Sequence, residues 1–178
     1  MPIYILGSST DSAHLAAKEG LPYVFASHFC PYHLFEAFHI YHNNFKPSKY
    51  LDKPFTMACV NVLAADTDEE AERMSTSSIR MILGVLSGKI DYLQPPMEMT
   101  LQLQQISMNP AVQRMMKYSF IGSKDTVRFR LLNSWKKTGV DEIMVASTFT
   151  TQKREYISYR LFLRLWRKLE NEKWEVLN

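Results

Sequence analysis

The first 26 residues, MPIYILGSSTDSAHLAAKEGLPYVFA, hold an apolar run, a Gly-hydroxyl break, a helical pattern and a second apolar run. That order restricts the fold more than any compositional figure does. Two strands joined through a helix lie parallel, because the crossover returns the chain to the same end of the sheet. Ile3 to Leu6 is predicted as a short buried strand ended by Gly7. The spacing of Ala13, Ala16 and Ala17 predicts a helix over 11–19, stopped by Gly20. Pro22 then precedes a second strand, Tyr23 to Ala26.

The alternation continues along the chain. Pro31 suits the first position of an aromatic-rich helix running to about Phe45. FKPSKYLDKP is a turn-rich connection, and FTMACVNVLAA after it is the longest strand candidate. Thr67 and Glu70 stand at capping-box spacing before a helix to about Leu86, which Gly88 stops. Pro95, Pro96 and Pro110 break residues 89–117 into an irregular insertion with short helices. Tyr118 to Ile121 reads as a weak strand, Ser123 as the cap of a helix to Lys137, and EIMVAS as a strand after Gly139. A last helix is expected over roughly 152–170, within a C-terminal helix and tail spanning 152–178.

These elements predict a single α/β domain over 1–178 with about four strong parallel strands, near residues 3, 23, 57 and 144. Such a set is half of an eight-stranded β/α barrel, which takes about 250 residues, or else a small open sheet. Either arrangement leaves two strand edges to be covered or paired.

Hydrophobic residues make up 46% of the chain and charged residues 22%, as in soluble globular domains. A net charge of +3 is too small to argue for a nucleic-acid or membrane partner. No apolar run reaches about 18 residues, and the N-terminus lacks a signal-peptide pattern. Cys30 and Cys59 show neither paired nor metal-type spacing, which suits a reducing cytosol. A cytoplasmic protein is expected.

Chemistry concentrates in GSSTDS. The end of a strand followed by a helix N-terminus presents backbone N–H groups and the positive end of the helix dipole to an anion. Gly7 permits close approach there, and Ser8, Ser9, Thr10 and Ser12 carry hydroxyl donors. The same residues are also those preferred as plain helix caps, so spacing leaves both readings open.

HLFEAFHIYH places His33, Glu36, His39 and His42 three apart. At 100° per residue His33 and His42 fall on opposite sides of a helix, so no single metal site takes all four. His28 follows the second strand, at the end of a parallel sheet where active sites gather, and reads either as a structural histidine or as the candidate acid–base residue. Cys59, in mid-strand, reads as core. Arg160, Arg164, Arg167 and Lys168 mark a basic face of the last helix, opposite Phe162, Leu165, Trp166 and Leu169.

Several stretches together carry a wider likeness: LGSSTDSAHLAAKEGLPYVFASHF, FKPS, AADTDEEAERM, FIGSKDTVRFRLL and TGVDEIMVAS. In order and spacing they resemble the bacterial-luciferase-like flavin-dependent monooxygenase family over most of residues 2–148. The resemblance implies the C-terminal half of a (β/α)8 TIM-type barrel, an oxidoreductase that binds reduced FMN or a related flavin and uses O2 to oxidise an organic substrate. Carried over by position, Ser9 and Ser12 would hold the flavin phosphate, with Gly7 and Ser8 giving loop backbone.

In that family LGSS lies near mid-chain, whereas here it follows Met1 by five residues. The half of the family pattern bearing its catalytic histidine region and other flavin contacts is not matched. TFTTQKREY also stands where relatives carry an acidic, histidine-bearing turn. Three expectations follow: a separate chain supplies the missing half, two copies pair about a twofold axis into one barrel, or the chain is a truncated, non-catalytic module. A homodimer that binds flavin or phosphate without turnover is the competing reading.

Overall fold

In the computed structural model, residues 2–147 and 155–163 are described. The elements are β1 (Ile5–Gly7), α1 (Thr10–Glu19), β2 (Tyr23–Phe25), a 3-10 turn (Pro31–His33), α2 (Leu34–Asn44), β3 (Thr56–Ala65), α3 (Asp68–Ser87), α4 (Leu101–Ser107), α5 (Pro110–Met115), β4 (Ser119–Ser123), α6 (Lys124–Thr138) and β5 (Glu142–Ala146). Residues 155–163 are helical. The rest of the expected last helix, including Arg164, Leu165, Trp166, Arg167, Lys168 and Leu169, lies outside the described residues, as does most of TFTTQKREY.

The chain forms two compact units. The first comprises residues up to Val60, with Arg114–Tyr118 and Asn133–Ala146. Here β1 and β2 run parallel, with Gly7 opposite Phe25, and β2 runs parallel to the first half of β3, with Phe25 opposite Ala58. β5 also pairs with β3. Its start is pinned there by Asp141, whose Oδ2 accepts from Thr56 N at 2.7 Å and whose own N–H donates to Thr56 O at 3.0 Å.

Side chains of β2 alternate between two apolar surroundings, as in a parallel strand covered on both faces. The Tyr23 ring meets those of Phe38 and Tyr41 on α2 at centroid distances of 6.1 and 5.4 Å. Val24 points the other way, into a cluster with Met57, Cys59, Phe55 and Ala146. α1 packs on α2, and its buried positions Ala13, Ala16 and Ala17 are small enough for close approach. Ile3 and Tyr4, just before β1, and Leu6 within it are exposed.

The second unit comprises Asn61–Gln113, Ser119–Leu132 and the described residues beyond Ala146. The later half of β3 runs parallel to β4, from Asn61 opposite Ser119 to Ala65 opposite Ser123. Leu63, Ala65, Ala71 and Met74 form its core, with Ile121 packed on them. The predicted cap of α3 forms, Thr67 Oγ1 accepting from Glu70 N at 3.2 Å. Residues 89–100 carry no regular structure and are strapped to α3: Thr76 Oγ1 accepts from Met97 N at 3.0 Å, and Arg80 donates to Pro95 O at 3.4 Å. Ser158, in the 155–163 helix, accepts from Ala64 N at 3.0 Å.

Two expectations are corrected. The first strand starts at Ile5 and takes in Gly7, because the glycine pairs in register with Phe25, and it is not buried: Leu6 is exposed and its neighbours are half-buried. The stretch read as a weak strand is the full strand β4, its ladder supplied by a partner that is distant in sequence.

Candidate functional site

Everything at the Gly7–Ser12 loop follows from how β1 hands over to α1. Gly7 ends the strand, and its carbonyl accepts from Ala26 N at 2.8 Å, lacing together the loops that follow β1 and β2. A Cβ at position 7 would collide with Cβ and Oγ of Ser12, so only glycine fits beneath the first turn of the helix.

Ser9 is the N-cap residue, extended at φ −131° and ψ 165°, yet its side chain makes no capping bond. Ser12 Oγ instead donates to Ser9 O at 2.6 Å. Tyr23 OH donates to the same oxygen at 3.1 Å and lies 3.0 Å from Ser12 Oγ. Each hydroxyl has one hydrogen, so those of Ser12 and Tyr23 are both engaged on the Ser9 peptide. Burial pushes the Tyr23 phenol above its ordinary value, with the Ser12 bond opposing, which keeps it a neutral donor.

The result is a ten-residue helix whose first turn carries no side-chain cap, with the Ser9 hydroxyl exposed beside it. Thr67 and Thr100, by contrast, each accept a first-turn N–H of their own helices. At the N-terminus of α6 the expected cap Ser123 accepts from Thr126 N at 3.5 Å through its Oγ, and the Asp68 carboxylate adds to it, accepting from Ser123 N at 2.6 Å and from Thr126 Oγ1 at 3.0 Å. Of the predicted residues, the structure brings Gly7, Ser9 and Ser12 into one cluster, and Ser8 is half-buried in the same loop.

His28 stands in the turn after β2, at the same end of the sheet. Its Nδ1 lies 3.2 Å from Cys59 O, its ring centroid 4.3 Å from that of Phe29, and it bonds to none of the four loop residues. Cys59 is buried, and burial raises its thiol above the ordinary value, leaving it a neutral core group.

Sequence reasoning missed three participants: Tyr23, Ser27 and the Cys59 carbonyl. The signal for Tyr23 was its hydroxyl, a lone polar tip among the apolar side chains of β2. His33, at the end of the 3-10 turn, pairs with Glu36 at 3.1 Å, and His39 pairs with Asn43 at 2.8 Å on α2, all exposed. Among the described residues no group of three potential ligands is placed to hold a metal, and no helix is long and apolar enough to cross a membrane.

No family model matches the chain. Individual proteins do. A luciferase-like monooxygenase of Escherichia coli (strain K12) is 43% identical over 145 residues, covering 82% of this chain and 43% of that protein. The crystal structure of apo-MsnO8 superposes with a TM-score of 0.79 at 28% identity, over 93% of this chain and 51% of that one. A type II Baeyer-Villiger monooxygenase from Pseudomonas putida, solved in complex with FMN, shares the fold alone: TM-score 0.50 at 17% identity, over 82% of this chain and 42% of that one. The chain thus spans about half the length of the proteins it matches.

Proposed function

Since the chain resembles the luciferase-like monooxygenases in sequence and fold over about half their length, we propose that it serves a flavin-dependent oxidation as the C-terminal half of such an enzyme, with Gly7–Ser12 receiving the flavin phosphate. The observation that carries this reading is the first turn of α1, left without a side-chain cap where β1 ends. Backbone N–H groups there, with the exposed Ser9 hydroxyl, suit a phosphate in number and sign.

The roles within the loop differ. Ser9 offers a hydroxyl and Gly7 the clearance, while Ser12, its hydrogen engaged, holds the Ser9 peptide in place. A bound reduced FMN would supply the electrons for reaction with O2. His28, at the same end of the sheet, is the residue of this chain suited to hold or accept a proton. Substrate binding and the remaining flavin contacts fall to the other half of the barrel, which the match to the relatives does not cover.

One feature favours a second reading, a self-associating module that binds flavin or phosphate without turnover. β1 has β2 as its one strand partner among the described residues, and beside it Ile3, Tyr4 and Leu6 stay exposed by 48%, 47% and 59%. Pairing with a second copy would bury that apolar edge.

Titration of the purified chain with FMN, followed by flavin fluorescence, tests the proposal. Saturable quenching that is lost in a Ser9→Ala, Ser12→Ala double variant supports the phosphate site. Absence of quenching at high FMN removes the flavin reading. Size-exclusion chromatography with light scattering tests the pairing, which a monodisperse monomer would exclude.

A further inference from the structure

The carbonyl oxygen of Cys59 receives three donors from the turn after β2. Ser27 Oγ lies at 2.6 Å, the backbone N of His28 at 3.2 Å, and His28 Nδ1 at 3.2 Å. A carbonyl oxygen can only accept. The Nδ1 contact is therefore attractive only with the proton on Nδ1; with the proton on Nε2, two lone pairs would face each other. We infer that neutral His28 is held as its Nδ1–H tautomer, and that its bare Nε2 is a fixed hydrogen-bond acceptor at the C-terminal ends of β1 and β2.

Three features fix the ring. Ser27 is fully buried, which anchors the turn by its own bond to the same carbonyl. Phe29 packs its ring against the imidazole. The bond from Ala26 N to Gly7 O sets this turn beside the loop after β1. On the far side of the ring, Nε2 has no hydrogen-bond partner among the described residues, and it is not one of the buried side-chain atoms left unpaired.

The chemistry of the ligand group follows. A bare Nε2 accepts an N–H or O–H and repels the oxygens of an anion, so His28 takes a protic donor while the uncapped turn of α1 takes negative charge. One end of the sheet thereby offers two subsites of opposite demand. Tautomer choice by the partner of the other ring nitrogen is a general property of histidine, and here that partner is a backbone atom that cannot change its role.

The test uses the full chain labelled with 15N-histidine, with the four exposed histidines His14, His33, His39 and His42 changed to Gln, so that His28 alone reports. Long-range 1H–15N correlations of the ring are recorded at about pH 8.5, above the ordinary histidine range. A protonated Nδ1 with a bare Nε2 is expected. An Nε2–H pattern, or the averaged pattern of a freely turning ring, overturns the inference. Should the four-fold variant not fold, subtracting the spectrum of His28→Gln from that of the unaltered chain identifies the same signals. The outcome is independent of flavin: a failed FMN titration leaves the tautomer to be read as before.

Discussion

Asp68 at the start of α3 reaches Ser123 at the start of α6, its Oδ1 accepting the Ser123 backbone N–H at 2.6 Å while Oδ2 accepts from Thr126 Oγ1 at 3.0 Å. Gly122, at φ +152°, makes room, since a Cβ there would stand 2.8 Å from Asp68 Oδ1. The carboxylate fills the N-terminus of α6 as a bound anion would.

A pH dependence follows. The Ser123 N–H first, then the Thr126 hydroxyl, hold the Asp68 carboxyl below its ordinary 3.8. A depressed folded value means that the stabilisation is present above the ordinary value and is lost as pH falls through the depressed one. Thermal melts of the wild type and Asp68→Asn should differ at neutral pH and converge in acid. A constant difference down to about pH 2.5 would contradict the assignment.

Ser9→Asp separates folding from binding. Aspartate is as good an N-cap as serine, and its charge favours the helix dipole by about 0.3–1 kcal/mol. The variant is expected to melt higher than the wild type while losing FMN binding, because its carboxylate takes the place of the phosphate. A variant that gains stability and keeps full FMN affinity would place the flavin elsewhere.

Tyr23→Phe keeps the ring packing on Phe38 and Tyr41 but removes the hydroxyl from Ser9 O and Ser12 Oγ. A loss of about 1 kcal/mol is expected, in line with one net hydrogen bond in a buried site. Urea denaturation reads it as a lower midpoint at unchanged slope.

Thr76→Val is nearly isosteric and removes the oxygen that accepts from Met97 N. Its expected effect is local: faster hydrogen exchange of the Met97 amide, and earlier proteolytic cleavage within residues 89–100. Unchanged exchange at Met97 would show that the strap is held by other contacts.

Most elements were legible because their signals are local. Gly20 and Gly88 end α1 and α3 in the left-handed conformation, as expected, and Thr67 caps α3 by its own side chain. β4 was underrated because SFIGS is short and contains a glycine, while its pairing partner, Asn61–Ala65, is set by tertiary contact. In the site, the loop residues could be found from spacing, but their division of labour could not. Nothing in GSSTDS says that Ser12 turns inward to the Ser9 carbonyl, because Tyr23 completes that network from another strand. The Cys59 carbonyl was illegible for a deeper reason: every residue carries such an oxygen, and only the folded turn selects this one.

The fit of Ser12 beneath Gly7 also governs how this loop can vary. A side chain at position 7 has to displace the serine hydroxyl, and with it one of the two bonds that orient the Ser9 peptide. Size at position 7 can therefore be gained only where it is given up at position 12. The two positions exchange volume as a pair, and the loop excludes single substitutions at the glycine by shape before any question of charge arises.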